Sequence, residues 1–192
     1  MSTSILQTLP FEKTLEIEDK EGRYVPVSGK IESTRLTILN VYIPPGVDIS
    51  ISRKIFDLMS EATDILIYRG DWNMQINPRL CSSKMFTQTP VHKKMKFFMS
   101  ERGVVDLWRD FHPTEWNYTH YPHPHDAYSR INYYLIHKRD RRGVHQCELG
   151  NIDLSDHAPV RLTIQINNSP GNTLSRLNPS ILNNTQFQTQ LK

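Results

Sequence analysis

Apolar and polar residues alternate over residues 35–43 (Arg35-Leu36-Thr37-Ile38-Leu39-Asn40-Val41-Tyr42-Ile43), which predicts a strand, and over residues 23–27, which predicts its neighbour. Gly29 and Glu32-Ser33 supply the turn between them, and Pro44-Pro45-Gly46 stops the second strand because proline has no N–H for a ladder. From Ser50 onward Ile51, Ile55, Leu58 and Met59 recur at helical spacing, predicting an amphipathic helix to about Ala62. Ile65-Leu66-Ile67-Tyr68 is an unbroken apolar run of the kind that suits a strand buried on both faces. A second helix is signalled by Thr89 as cap, Pro90 in the first turn and Gly103 at the close, with Val91, Met95, Phe98 and Met99 on its apolar face. Residues 104–108 fit either a strand or a short helical turn. Residues 116–120, 131–136, 144–149 and 160 to about 166 read as further strands. Strands broken by a few helices predict an α+β or α/β sandwich.

Composition narrows the class. At 192 residues the chain makes one domain with tails: an irregular start over 1–10, a domain over 11–166, and a polar linker or disordered tail over 167–192. That tail is rich in Asn, Ser, Thr and Gln, and Arg176 and Lys192 are its charged residues. A net charge of +3 admits a polyanionic partner but is far from a histone-like footprint. Cys81 and Cys147 make no disulfide framework. There is no run of about 18 apolar residues to span a membrane and no signal-peptide pattern at the start, so the expected location is nuclear or cytoplasmic.

Candidate chemistry sits at the predicted strand ends, where sheet proteins build sites. Ser155-Asp156-His157-Ala158-Pro159 puts an imidazole, the usual general base near neutral pH, beside a carboxylate. Gly70-Asp71-Trp72-Asn73 follows the apolar run, and its Asp and Asn can orient a water, although an ordinary Asx turn reads the same way. Tyr128-Ser129-Arg130-Ile131-Asn132-Tyr133 offers Arg130 to a phosphate or to a surface ion pair. Asn40-Val41-Tyr42 offers a phenol that either reaches a phosphate or packs in the core.

In this order the four strings resemble the endonuclease/exonuclease/phosphatase superfamily, and more closely the apurinic-type endonuclease domain of LINE (non-LTR) retrotransposons. The string over 176–182 is similar to the segment that follows that domain. The resemblance implies a four-layered α/β sandwich of two mixed sheets and Mg²⁺-assisted hydrolysis of DNA phosphodiesters. It implies that Asp71 orients or deprotonates the attacking water and that Asn73 holds the water or a phosphate oxygen. Tyr42 and His157 would bind the scissile phosphate, Ser129 and Arg130 would contact phosphate or DNA, and Asp156 would belong to the metal environment.

Departures from the pattern matter equally. The family domain opens with strands carrying an Asn and a metal-binding Glu; neither has a match before Tyr24, so the fold is expected to be incomplete at its N-terminal strands. Family members have Ser-Arg-Ile-Asp where this chain has Ser129-Arg130-Ile131-Asn132, so the carboxylate that orients the catalytic histidine becomes an amide. Trp72 replaces the usual Phe. The expectation is therefore a retrotransposon-derived Mg²⁺-dependent DNA endonuclease domain, impaired or inactive. Its alternative is a non-catalytic nucleic-acid-binding remnant gripping phosphates through Lys138, Arg139, Arg141 and Arg142. A third reading is a metal site at His120, His123 and His125 with Asp126 nearby.

Overall fold

The unbroken apolar run becomes the middle of a six-stranded mixed sheet. The computed structural model describes residues 10–16, 19–46, 48–58, 64–84, 88–122, 127–151 and 155–166. The expected irregular start over 1–9, the end of the first helix past 58, His123, His125, Asp126 and the tail over 167–192 lie outside the described residues. The strands of the large sheet are β1 (Phe11–Glu16), β2 (Tyr24–Ile31), β3 (Thr34–Tyr42), β4 (Ile65–Asp71), β5 (Val104–Asp106) and β6 (Asn132–His137), in spatial order β1-β2-β3-β4-β6-β5. Strands β7 (Val144–Leu149) and β8 (Val160–Ile164) form a separate antiparallel pair. The helices are α1 (Ser50–Leu58), α2 (Pro78–Cys81), α3 (Pro90–Glu101) and α4 (Leu107–Phe111).

Strands β3 and β4 are parallel, which requires a crossover, and α1 lies in that connection. The period of two along the strands then sorts the core into two layers. Leu39 and Val41 of β3, Leu66 and Tyr68 of β4, and Tyr133 and Leu135 of β6 share one cluster with Ile55 and Phe56 of α1 and Met95 and Met99 of α3. Leu36, Ile67 and Ile136 point the other way, into a cluster with Leu107 and Trp108 of α4 and Val144 and Cys147 of β7. Helices α1 and α3 thus cover one face, and the small sheet together with α4 covers the other. Arg161 and Thr163, on the far side of β8, are exposed, so helix, sheet and sheet are the layers seen of the expected four. Among the described residues no helix is long and apolar enough to cross a membrane.

Several expectations are corrected. Strand structure begins at Phe11, and β2 continues through Gly29, whose missing side chain makes room for the Phe11 ring: a Cβ there would meet its Cζ at 2.4 Å. The turn is left to Glu32 and Ser33, with Glu32 at φ 54°. Residues 104–108 use both alternatives, β5 followed at once by α4, because the Asp106 carboxylate accepts from the Arg109 N–H and starts the helix. The inner face of α3 is His92, Met95 and Met99, while Val91 is exposed. Residues 116–120 form no strand. There only His120 pairs, through isolated bridges to Ser129 and His157. Both cysteines are free and buried.

Candidate functional site

Register, rather than proximity in sequence, assembles the site. Tyr42 lies opposite Asp71 in the parallel β3–β4 pairing, and Asp71 lies opposite Asn132 in the antiparallel β4–β6 pairing. Residues in register on neighbouring strands share a face, so the ends of three strands present Tyr42, Asp71 and Asn132 as one row towards the small sheet. Gly70 holds the first two strands together. Its φ is 134°, and a Cβ there would stand 1.9 Å from the Val41 carbonyl oxygen. Behind the row, Asn40, Arg69 and Tyr134 line a cleft of about 220 Å³ that the 158–160 segment closes.

Asp71 is half-buried, and its Oδ1 accepts from the Asn73 backbone N–H at 2.9 Å. Burial pushes its carboxyl above the usual range, against the lowering effects of that N–H and of nearby His157 and His120. Asn73 adopts φ 45°, a conformation asparagine tolerates better than most residues. Its Nδ2 donates to the Ile43 carbonyl at 2.9 Å and to Asp71 Oδ2 at 3.3 Å. The amide nitrogen is thus engaged by the protein, which leaves the amide oxygen, an acceptor, to meet a ligand. Tyr42 is 38% exposed at the open end of the row.

His157 joins the row through Asn132: its Nδ1 lies 2.9 Å from Asn132 Oδ1. An amide oxygen only accepts, so Nδ1 is the donor in this contact and Nε2 is left out of it. The backbone around it is tied down, with Ala158 N–H on the Thr119 carbonyl, Tyr121 N–H on the Asp156 carbonyl, and His120 and Ser129 exchanging a pair of bonds. Thr119 is fully buried and its hydroxyl accepts from the N–H groups of Ile131 and Asn132 at 3.0 and 3.1 Å, which fixes where Asn132 leaves the loop. The same ladder brings His120 beside His157, ring centroids 4.7 Å apart, and sets its Nε2 3.7 Å from Asp156 Oδ2.

Two expected phosphate contacts are elsewhere. Arg130 is 1% exposed and grips Asp106 through two bonds of 3.0 and 2.6 Å, with the Cys81 sulfur at 3.2 Å and its guanidinium over Trp108 and Tyr133. Burial opposes its charge, but Asp106 and the neighbouring groups more than offset that and raise its pKa. Ser129 is buried too, its hydroxyl between Gln75 Nε2 and the Ala127 carbonyl. Both residues are buried in the loop that leads to Asn132, and their polar groups are engaged there by protein partners. The basic run over 138–142 lies at the opposite end of β6 from Asn132, in a 3₁₀ turn (Lys138–Gly143). There Arg141 pairs with Asp110 and covers Phe111, and Arg139 reaches the Asp64 carbonyl.

The same architecture occurs in solved structures. An AP endonuclease from Leishmania major matches with a TM-score of 0.61 and 18% identity over 78% of this chain and 56% of that one. The endonuclease domain of TRAS1, a telomere-specific non-LTR retrotransposon, matches at 0.61 and 15% over 79% of this chain and 68% of that one. The 3′ phosphatase NExo from Neisseria, bound to a product DNA hairpin, matches at 0.58 and 18% over 77% and 66%. The chain has the endonuclease/exonuclease/phosphatase fold. It spans 56% of the length of the Leishmania enzyme. No family model matches it.

In a chain of this fold, Mg²⁺ would be held by carboxylate and other oxygen ligands. Among the described residues the one group of three metal-capable side chains is His120, Asp156 and His157, two imidazoles with one carboxylate. That donor set does not fit a hard cation that prefers oxygen.

Of three further contributors, Thr119 stood inside an expected strand with no role of its own, and His120 was expected in a metal group with His123 and His125 rather than beside His157. The third is aromatic: Tyr118, Tyr121 and Tyr128 cluster with centroids 5.0 to 6.5 Å apart beside the His120–Ser129 bridge, next to exposed Trp116. The density of Trp and Tyr over 116–128 was the available signal.

Proposed function

We propose that this chain is a DNA-binding domain of the retrotransposon-endonuclease type whose hydrolytic activity is crippled. Tyr42 and His157 receive a backbone phosphate, Asp71 and the Asn73 carbonyl hold a water next to it, and the tyrosine cluster offers stacking surfaces to bases. The observation that carries the reading is the single row Tyr42, Asp71, Asn132, ending on His157. The retrotransposon lineage rests on the four motifs in order and on the fold shared with the TRAS1 domain.

Impairment follows from charge. As a phosphate approaches its transition state the imidazole beside it works best as a cation, and preorganised charge is usually the largest catalytic contribution. A carboxylate at position 132 would stabilise that cation, whereas Asn132 orients the ring without stabilising its charge. In the serine-protease triad the same loss of charge beside a catalytic histidine lowers kcat about 10⁴-fold.

The test combines plasmid nicking in Mg²⁺ with fluorescence anisotropy on a short duplex and a single strand. The expected result is DNA binding that weakens steeply as salt rises, with nicking no faster than in His157→Ala. Robust nicking abolished by His157→Ala overturns the impairment, and undetectable or salt-independent binding overturns the DNA reading.

A further inference from the structure

The misfit between the site and Mg²⁺ points to a different ion. His120, Asp156 and His157 come from two separate segments, yet their ligand atoms all lie within 4.8 Å of one another. A tetrahedral zinc site with bonds of 2.0–2.2 Å sets its donors roughly 3.3 Å apart. The His120 Nε2 to Asp156 Oδ2 separation of 3.7 Å is near that value already. Closing the rest takes side-chain rotation of about an ångström in three residues that are partly or well exposed, while the backbone bonds between 119–121 and 156–158 keep the segments in place. The surroundings match as well. A metal-bound histidine normally gives its other ring N–H to an oxygen acceptor, which fixes the tautomer. His157 does this through Nδ1 to Asn132 Oδ1, which would make Nε2 its ligand atom.

We propose that His120, Asp156 and His157 form a three-ligand site for a borderline divalent cation of the Zn²⁺ class, with a fourth position open, and that its occupation withdraws His157 from DNA phosphate. The second half rests on the functional reading above; the metal site does not. Two imidazoles and one carboxylate are the donor types that favour zinc and the later transition metals over Mg²⁺. The two ligand roles of His157 exclude each other, since one Nε2 cannot serve a metal and a phosphate together. Zinc and DNA should therefore compete.

The experiment uses the full chain stripped of metal, titrated calorimetrically with Zn²⁺ and Mg²⁺, and with Co²⁺ as an absorbing substitute. One equivalent of Zn²⁺ is expected to bind, Mg²⁺ is not, and Co²⁺ should give the intense visible bands of a four-coordinate site. Asp156→Asn, a surface change that leaves the fold alone, and His120→Phe should each weaken Zn²⁺ at least tenfold, while His145→Ala, on the distant β7, should not. Asn132→Leu should weaken it roughly 10- to 100-fold as loss of the ring's acceptor. Binding that survives both Asp156→Asn and His157→Ala, or is lost only in the His123→Ala/His125→Ala pair, overturns the site, as does no binding at all. DNA affinity measured with and without Zn²⁺ separates the two readings. Zinc binding without any effect of His157→Ala on metal-free DNA affinity keeps the metal site and removes the phosphate role. His157-dependent DNA binding with no zinc uptake does the reverse.

Discussion

Asn132 and His157 are joined by a bond of 2.9 Å between an amide oxygen and the imidazole Nδ1. The ring's tautomer and direction are set as a carboxylate would set them, but the charge that would favour the imidazolium is absent. Position and charge, usually supplied together by one residue, are separated here.

Asn132→Asp restores the charge at unchanged size. A carboxylate in direct contact with the imidazole favours its charged form. Plasmid nicking in Mg²⁺ should therefore rise in the variant, and the rise should vanish in the Asn132→Asp/His157→Ala double variant. Nicking no faster than in the parent would mean that the missing charge is not what impairs the site.

Gly70→Ala should break the row itself. The φ of 134° is hostile to any side chain, and the obstacle 1.9 Å away is the Val41 carbonyl, part of the sheet rather than a flexible side-chain end. Strands β3 and β4 would have to part where Tyr42 and Asp71 pair. A loss of more than about 3 kcal/mol in urea denaturation is expected, from the range given by severe backbone and packing defects. Gly22→Ala is the control: it has φ 66° but nothing within 4 Å, so it carries the backbone strain without the collision and should cost less.

The parts of this structure legible in the sequence are those written locally. The alternation over 35–43, the apolar run at 65–68 and the caps of α3 each report the surroundings of a few consecutive residues, and the ends of the two strands among them carry Tyr42 and Asp71. Arg130 was not legible because its role depends on residues far along the chain: Asp106 is 24 positions away and Cys81 is 49. An arginine beside a site motif looks the same whether it faces a phosphate or a buried carboxylate. His120 was misread for a related reason. The histidines after it are neighbours in sequence, whereas the bridge to His157 is a tertiary pairing that no local pattern encodes. The expected strand over 116–120 failed because alternation puts Trp116, Tyr118 and His120 on one face, whereas in the loop that follows the turn held by Arg109 Trp116 is exposed and Thr119 is the buried residue. That guanidinium donates to the carbonyls of His112, Pro113, Glu115 and Leu80.

Asp106→Ala should destabilise strongly for an electrostatic reason. Asp106 and Arg130 are 8% and 1% exposed at their side chains, and removing the carboxylate leaves a guanidinium buried without its counter-charge. Breaking such a pair from one side costs about 3–5 kcal/mol. Replacing both, as Asp106→Leu with Arg130→Met, should recover part of that loss, because no isolated charge remains. A double-mutant cycle in guanidinium chloride checks both statements, and a single-mutant cost under about 1 kcal/mol would show that the pair is not desolvated.

Asp71→Asn should exchange function for stability. Burial raises the Asp71 carboxyl above its ordinary 3.8, so the folded protein holds that proton to a higher pH than the unfolded chain does. Below 3.8 both states are protonated and the carboxyl adds no pH-dependent cost. As pH rises through the folded-state value the unfolded chain has already ionised, and the native state must follow at an energetic cost. That cost is then present in full at neutral pH. Asparagine keeps an oxygen for the Asn73 N–H and never ionises, but it loses the 3.3 Å acceptor for Asn73 Nδ2, a loss that does not depend on pH. The stability of the variant relative to the parent should therefore rise as pH goes from acid to neutral, which urea midpoints measured at several pH values reveal. The same variant should bind DNA at least as well as the parent, since an anionic carboxylate beside a phosphate repels it, while any residual nicking disappears with the base that would activate the water.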